Sequence, residues 1–325
     1  MSLQTQPPVP FDPQIQPVVD FMATQPPMSR ESIASSRGVT ASPFPSAEEL
    51  VKGLPITITE RVIPGPEGAP DLEITVLSPS DLRAEERLPA LYNIHGGGMV
   101  VGHRSWESGR LVDLMTRHRV VCVNVEYRLA PEDPFPAGAE DVYAGFVWTH
   151  ANAAELGVDA SKIVVMGGSA GGGFSAAIAL MARDRQGPIM AGQLLLCPMI
   201  DNTGTTVSAQ QYRGLGTWTR EANDLSWACV LGEELAFSEG APAYAAPSRA
   251  DDLSGLPPAF IEVGAAETFR DEDVEYASRI WAVGGQAELH VWDGGCHGFD
   301  MYAPDAIITQ AALDSRDSWL RRIFA

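Results

Sequence analysis

Residues 163–174 read IVVMGGSAGGGF, and this stretch decides the fold. The apolar, largely β-branched run Ile163–Met166 stops at Gly167-Gly168-Ser169-Ala170-Gly171, and a small-residue pattern of helical period, AAIALMARD, then takes over. That is a strand, a sharp turn and a helix, with G-x-S-x-G at the turn. A serine lifted off a strand end in a strained conformation leaves no room for Cβ atoms at Gly167 and Gly171. The turn predicts an exposed Ser169 hydroxyl facing the free N–H groups of a helix N-terminus, where negative charge is stabilised.

Glycine makes up 31 of 325 residues, so a glycine-rich turn alone could be bare packing. Two further stretches give it a context. Upstream, His95-Gly96-Gly97-Gly98 directly follows the apolar strand pattern Leu91–Ile94. Near the C-terminus, His297 stands in GGCHGF, a loop after another strand pattern. The chain therefore orders a glycine donor loop, a nucleophile and a histidine.

The strands predicted around these motifs are Pro89–Ile94, Val120–Val125, Ile163–Met166, Gln193–Leu196, Ala259–Val263 and Ala287–Val291. Between them fall helical patterns near Glu107–His118, Gly138–His150, Gly172–Arg183 and Asp273–Val283, with a closing helix from about Asp305 to Phe324. Apolar strands alternating with amphipathic helices make a parallel sheet covered on both faces. Residues 56–63 and 71–77 alternate at period two around a Pro-Gly turn and read as an antiparallel hairpin, so the sheet is mixed and eight-stranded. Every motif named here falls at a strand's carboxyl end, where such sheets bind ligands.

Residues 1–50 are rich in Pro, Ser and Gln, with short helical patterns at Asp12–Thr24 and Ser46–Val51, and are too polar for a core of their own. Between Asp201 and about Ala250 the alternation lapses into a segment with Trp218, Trp227 and a helical pattern from Arg220 to Leu231. We read residues 51–325 as the main domain, with residues 1–50 and about 202–250 forming a helical cap above Ser169.

A hydrophobic content of 45% supports one large core, and a net charge of −20 argues against nucleic-acid or anionic-membrane partners. No apolar run approaches the ~18 residues of a membrane span and no basic-then-apolar leader opens the chain, which points to the cytoplasm. Cys122, Cys197, Cys229 and Cys296 are widely spaced, with no C-x-x-C pair, so neither a zinc site nor a disulfide framework is indicated.

A serine hydroxyl needs a base to attack near neutral pH. Of six histidines, only His297 combines a glycine-flanked loop with a position after the last strand. The base needs a carboxylate on its other nitrogen. In AFIEVGAAETFRDEDVEYA, Glu267 and Asp271 compete for that role, with Glu262, inside the strand, a third choice. Glu267 is favoured because it follows the strand by a short loop, whereas Asp271 suits the first turn or cap of the next helix. Consecutive glycines are justified where backbone N–H groups must approach a ligand, so Gly97, Gly98 and Ala170 are the expected donors to an oxyanion.

Taken together, HGGG (95–98), YRLAPE (127–132), GGSAGG (167–172), LPPAFIEVGAAETFRDE (256–272) and HGF (297–299) resemble the hormone-sensitive-lipase-like branch of the α/β-hydrolases, with its bacterial carboxylesterases, acetyl esterases and heroin-esterase-type members. The resemblance spans roughly residues 55–320. It implies an α/β-hydrolase with a mostly parallel eight-stranded twisted sheet flanked by helices beneath a helical cap. It also implies cofactor-free and metal-free hydrolysis of small carboxylic esters through an acyl-enzyme, usually with short acyl chains. Family habit and an open edge at the last strand suggest a homodimer. Two residues depart from the family: Gly168 stands where Asp or Thr is usual, and Glu267 where Asp is usual. Alternatives on the same fold are a small-molecule receptor similar to the plant gibberellin receptor, which lacks the histidine, and an amidase or peptidase using the same three groups.

Overall fold

Around the Pro-Gly turn, β1 (Ile56–Ile63) and β2 (Leu72–Pro79) pair antiparallel, from Ile63 opposite Leu72 to Ile56 opposite Pro79. The computed structural model describes residues 6–38, 41–42 and 44–325. Six more strands follow: β3 (Leu88–Ile94), β4 (Val121–Val125), β5 (Val158–Gly168), β6 (Gly192–Leu196), β7 (Ala259–Gly264) and β8 (Ala287–Trp292). They form one sheet ordered β1-β2-β4-β3-β5-β6-β7-β8. The β2–β4 pair is antiparallel, and every later neighbour is parallel. The order places β4 on one side of β3 and β5 on the other, so the chain switches direction between β3 and β5. The loops leaving these two strands, His95–Gly98 and Ser169, open into the crevice that such a switch creates.

The central strands β4, β6 and β7 are buried at every residue, as their unbroken apolar runs require. β5 begins five residues before the expected Ile163, because the polar tract Asp159–Lys162 hides its start and its pairing with β3 shifts register between Leu88 and Ala90. On the faces lie α4 (Ser108–Arg117), α5 (Ala137–Ala151), α6 (Ala170–Asp184), α9 (Arg270–Ala282) and α11 (Ile307–Phe324). α6 is buried along nearly its whole length, which explains its run of glycine and alanine: larger side chains would push it off the sheet.

The N-terminal segment carries α1 (Gln16–Ala23), α2 (Arg30–Ile33) and α3 (Ala47–Leu50), and it lies on the main body. Ile15 and Val19 pack against Cys296, Phe299, Ala306 and Ala312, and Ile33 joins the main core. α2 escaped the sequence reading because its capping box is Ser29 with Ser32, without the Glu or Gln that marks the pattern. After β6 come α7 (Val207–Gln211) and α8 (Arg220–Leu235), the latter broken at Gly232 (φ 75°), one residue beyond the expected end. α10 (Phe299–Tyr302) is a single turn directly after His297. Among the described residues no helix is long and apolar enough to cross a membrane.

Candidate active site

Ser169 sits between β5 and α6 with φ 57° and ψ −121°, a conformation that costs a non-glycine residue about 1–3 kcal/mol. The strain is held by packing and by the backbone: Ser169 N–H donates to Leu196 O at 2.8 Å, and Ser169 O accepts from Met199 N–H at 2.9 Å. An ideal Cβ would lie 1.9 Å from Ile94 O at Gly171 and 2.5 Å from it at Gly167. Glycine at both positions is therefore a steric necessity of bringing the β3 loop against the serine turn.

The structure brings Ser169, His297 and Glu267 together. His297 Nε2 lies 2.9 Å from Ser169 Oγ, and its Nδ1 lies 3.1 Å from Glu267 Oε1. A hydroxyl, an imidazole and a carboxylate in that order can move a proton off the hydroxyl while the carboxylate fixes the ring tautomer. Asp271 is not part of this chain. It sits in the first turn of α9, where its carboxylate accepts from Ser208 N–H at 2.8 Å and Arg270 Nε–H at 2.7 Å, fastening α7 to α9. Glu262 is buried on β7 and occupied by Arg316. Cys296, beside His297, is fully buried, and burial pushes its thiol up to about 12, so it offers no thiolate at neutral pH.

The glycine loop after β3 takes left-handed conformations at Gly97 (φ 111°) and Gly98 (φ 62°), and a Cβ at Gly97 would fall 2.1 Å from Val101 O. Ala170 opens α6, and its N–H is one of the four at a helix start without an intrahelical acceptor. His95 serves packing: it stacks on Tyr127 with ring centres 4.1 Å apart, while Tyr127 Oη–H donates to His95 O at 2.8 Å.

A buried ion network that sequence reasoning missed underlies these loops. Glu107 accepts from Gly96 N–H at 2.9 Å and from Arg110 Nη1 at 2.6 Å, and Arg110 also grips Asp300 through Nε and Nη2 at 3.2 and 3.0 Å. Asp300 meets Arg316 at 2.9 Å, and Arg316 meets Glu262. The chain of charges thus ties the glycine loop to the histidine loop and to β7. Burial by itself would raise the Asp300 carboxyl, but Arg110 and Arg316 outweigh it and hold it well below its ordinary value. Its one local signal was a charged residue inside the apolar run AFIEVG, which demands a buried partner. The network also borders Gly168: an ideal Cβ there would lie 3.0 Å from Arg110 Nη1, so a side chain beside the nucleophile would need the guanidinium to give by a few tenths of an ångström.

A cavity of about 230 Å³ opens over Ser169, walled by Phe44, Trp106, Trp218, Met301 and Tyr302 among others. Of the two tryptophans singled out in the segment after β6, Trp218 lines this cavity, whereas Trp227 is wholly buried in the main core. A second cavity of about 370 Å³ lies alongside, and Phe44, Trp106, Arg110 and Met301 line both.

The chain resembles known proteins in sequence and in fold. A family model described as alpha/beta hydrolase fold matches residues 91–301. Carboxylesterase NlhH of Mycobacterium tuberculosis is 36% identical over 262 residues, 80% of each chain. Among solved structures, a bacterial heroin esterase superposes with a TM-score of 0.86 at 31% identity, over 97% of this chain and 98% of its own. A Pyrobaculum calidifontis esterase superposes with a TM-score of 0.82, also at 31% identity, over 97% of this chain and 100% of its own. With these matches added to the fold and the motifs, the chain belongs to the hormone-sensitive-lipase-like carboxylesterases of the α/β-hydrolase fold family.

Proposed function

We propose that this chain hydrolyses small carboxylic esters through an acyl-enzyme on Ser169, with His297 as base, Glu267 as its orienting acid and the N–H groups of Gly97, Gly98 and Ala170 as the oxyanion hole. The observation that carries the proposal is the hydrogen-bonded chain from Ser169 Oγ through His297 to Glu267, at 2.9 and 3.1 Å.

Ser169 Oγ attacks the acyl carbon as His297 Nε2 takes its proton, and the tetrahedral oxyanion is met by backbone donors typically worth about 3–4 kcal/mol each. His297 then returns the proton to the departing alcohol, leaving the acyl group on Ser169. Water, deprotonated by the same nitrogen, releases the acid. Glu267, buried and aligned on Nδ1, holds the Nδ1 proton, so that the neutral imidazole presents a free Nε2 at the start of each half-reaction, and it stabilises the imidazolium that then forms.

The substrates are short acyl esters: a cavity of about 230 Å³ lies below the range of roughly 300–1,000 Å³ that drug-sized ligands fill. Phe44 from the N-terminal segment and Thr217 and Trp218 from the segment after β6 roof it, which supports reading residues 1–50 and about 202–250 as a cap. The four cysteines are free and buried, in keeping with a cytoplasmic enzyme. Exposed Trp281, Val283 and Val291 on α9, the turn after it and the edge strand β8 suit pairing with a second copy, which light scattering would detect.

Hydrolysis of acetyl, butyryl and palmitoyl nitrophenyl esters, with the matching anilides alongside, tests the reading. Activity on acetyl and butyryl esters that vanishes in a folded Ser169→Ala variant supports it. Faster turnover of palmitoyl esters would overturn the acyl-chain assignment, and faster turnover of the anilides would reassign the chain as an amidase.

A further inference from the structure

Cys197 follows β6 in a left-handed backbone conformation (φ 39°) rarely taken by a side-chain-bearing residue, and it lines the cavity over Ser169. One donor atom each from Cys197, Glu267 and His297 lies within 4.8 Å of the other two, and all three residues are buried. Glu267 spends only half of its carboxylate on the histidine: Oε1 meets Nδ1, while Oε2 is buried with no hydrogen-bond partner among the described residues. A buried carboxylate oxygen without a partner is costly, and a cation bound beside it would satisfy it.

We propose that Cys197, Glu267 and His297 form an inhibitory site for a thiophilic divalent cation such as Zn²⁺ or Cd²⁺, held by the Cys197 sulfur, a Glu267 oxygen and His297 Nδ1, with water in the fourth position. Sulfur, imidazole and carboxylate are the ligands zinc takes, and the thiolate selects against Mg²⁺ and Ca²⁺. Donors around a tetrahedral zinc sit roughly 3.4–3.6 Å apart, so the trio closes by about 1 Å, within reach of side-chain rotation. The ligands stand 70 and 30 residues apart in the chain, far outside the local spacings on which no zinc site was expected.

Inhibition follows from tautomer chemistry and rests on the role proposed for His297; binding does not. Free, the imidazole carries its proton on Nδ1 toward Glu267 and offers a lone pair at Nε2. A metal on Nδ1 moves that proton to Nε2, which then points a donor at Ser169 and can no longer take its proton. The Cys197 thiol proton passes to solvent, so each metal bound releases one proton and no group changes oxidation state.

The test is a Cd²⁺ titration of the chelator-treated enzyme, followed through the ultraviolet thiolate-to-metal charge-transfer band, in wild type, Ser169→Ala, Cys197→Ser and Cys197→Ala. The band should saturate near one equivalent in wild type and in Ser169→Ala, and should be missing from both Cys197 variants, whose folding circular dichroism verifies. In parallel, Zn²⁺ should inhibit ester hydrolysis reversibly. Half-inhibition of the Cys197 variants should need at least about tenfold more metal, since losing even an outer-shell partner weakens metal sites about 10–100-fold. A band of equal strength in the Cys197 variants, or none in wild type, overturns the site. A band without loss of hydrolysis overturns coordination at Nδ1, and if Ser169→Ala is also active, the reading of Ser169 and His297 fails as well.

Discussion

Replacing Glu267 by Gln keeps the side chain's shape and removes its charge from a point 3.1 Å from His297 Nδ1. An imidazolium and a carboxylate at that separation attract by about 332/(20 × 3.1), roughly 5 kcal/mol, at an effective dielectric constant of about 20. At about 1.4 kcal/mol per decade, losing that attraction in the transition state slows turnover by nearly four powers of ten. The corresponding change in a serine-protease triad, Asp to Asn, costs about the same, because the amide also favours the wrong tautomer. Asp271→Asn is the matched control. Its carboxylate holds Ser208 N–H and Arg270 rather than His297, and Asn retains an acceptor for the amide, so the loss is about 1 kcal/mol of stability and little turnover. Turnover of a butyryl nitrophenyl ester at one pH, with urea unfolding of both variants, decides between them. Near-normal activity in Glu267→Gln with collapse in Asp271→Asn would refute the assignment of the acid. Glu267→Asp, which shortens the reach, is expected between wild type and Glu267→Gln.

Arg110→Met strips the buried Glu107 and Asp300 of a shared cation and should cost about 3–5 kcal/mol in urea unfolding; a loss under about 1 kcal/mol would show that the network is not coupled. Trp106→Ala should join the two cavities that Trp106 lines and raise the octanoyl-to-acetyl turnover ratio severalfold, and an unchanged ratio would mean that the acyl chain points elsewhere. Asp273 is buried with neither oxygen hydrogen-bonded among the described residues, and burial, aided by the charges of Glu272 and Glu267, raises its carboxyl well above the ordinary value. The folded state then holds a proton that the unfolded state releases from about pH 4 upward, so this group's contribution to stability falls as pH rises toward the raised value. Asp273→Asn should remove that slope, gaining stability over wild type at about pH 8 more than at about pH 5, and an equal difference at both would contradict it.

What the chain disclosed in advance was what local sterics dictate. The glycines around Ser169 announce a turn because the backbone of Ile94 comes too close for any side chain, and that constraint is written in adjacent residues. The same holds for the hairpin of β1 and β2 and for the unbroken apolar runs of β4, β6 and β7. Glu267 could be preferred to Asp271 because loop length and helix-start chemistry separate them within five residues. Hidden features depend on partners distant in the chain. Arg110 meets Asp300 across 190 residues, and nothing near either one names the other. Trp218 and Trp227 look alike in sequence, yet one walls the cavity and the other fills the core, because Trp218 stands in the loop before α8 and Trp227 on the buried face of α8 itself. The start of β5 was obscured for a local reason: residues 159–162, between the buried Val158 and Ile163, are half-buried or exposed, and the polar side chains among them interrupt the apolar run.

The central claim is that Ser169 becomes acylated, and the most direct measurement is mass spectrometry of the enzyme after brief reaction with a fluorophosphonate or a slow ester. The account predicts a single adduct, mapped to the peptide containing Ser169, slowed by Glu267→Gln and missing from Ser169→Ala. An adduct on Cys296 or Cys197, or no adduct in an enzyme that still turns over esters, would contradict it.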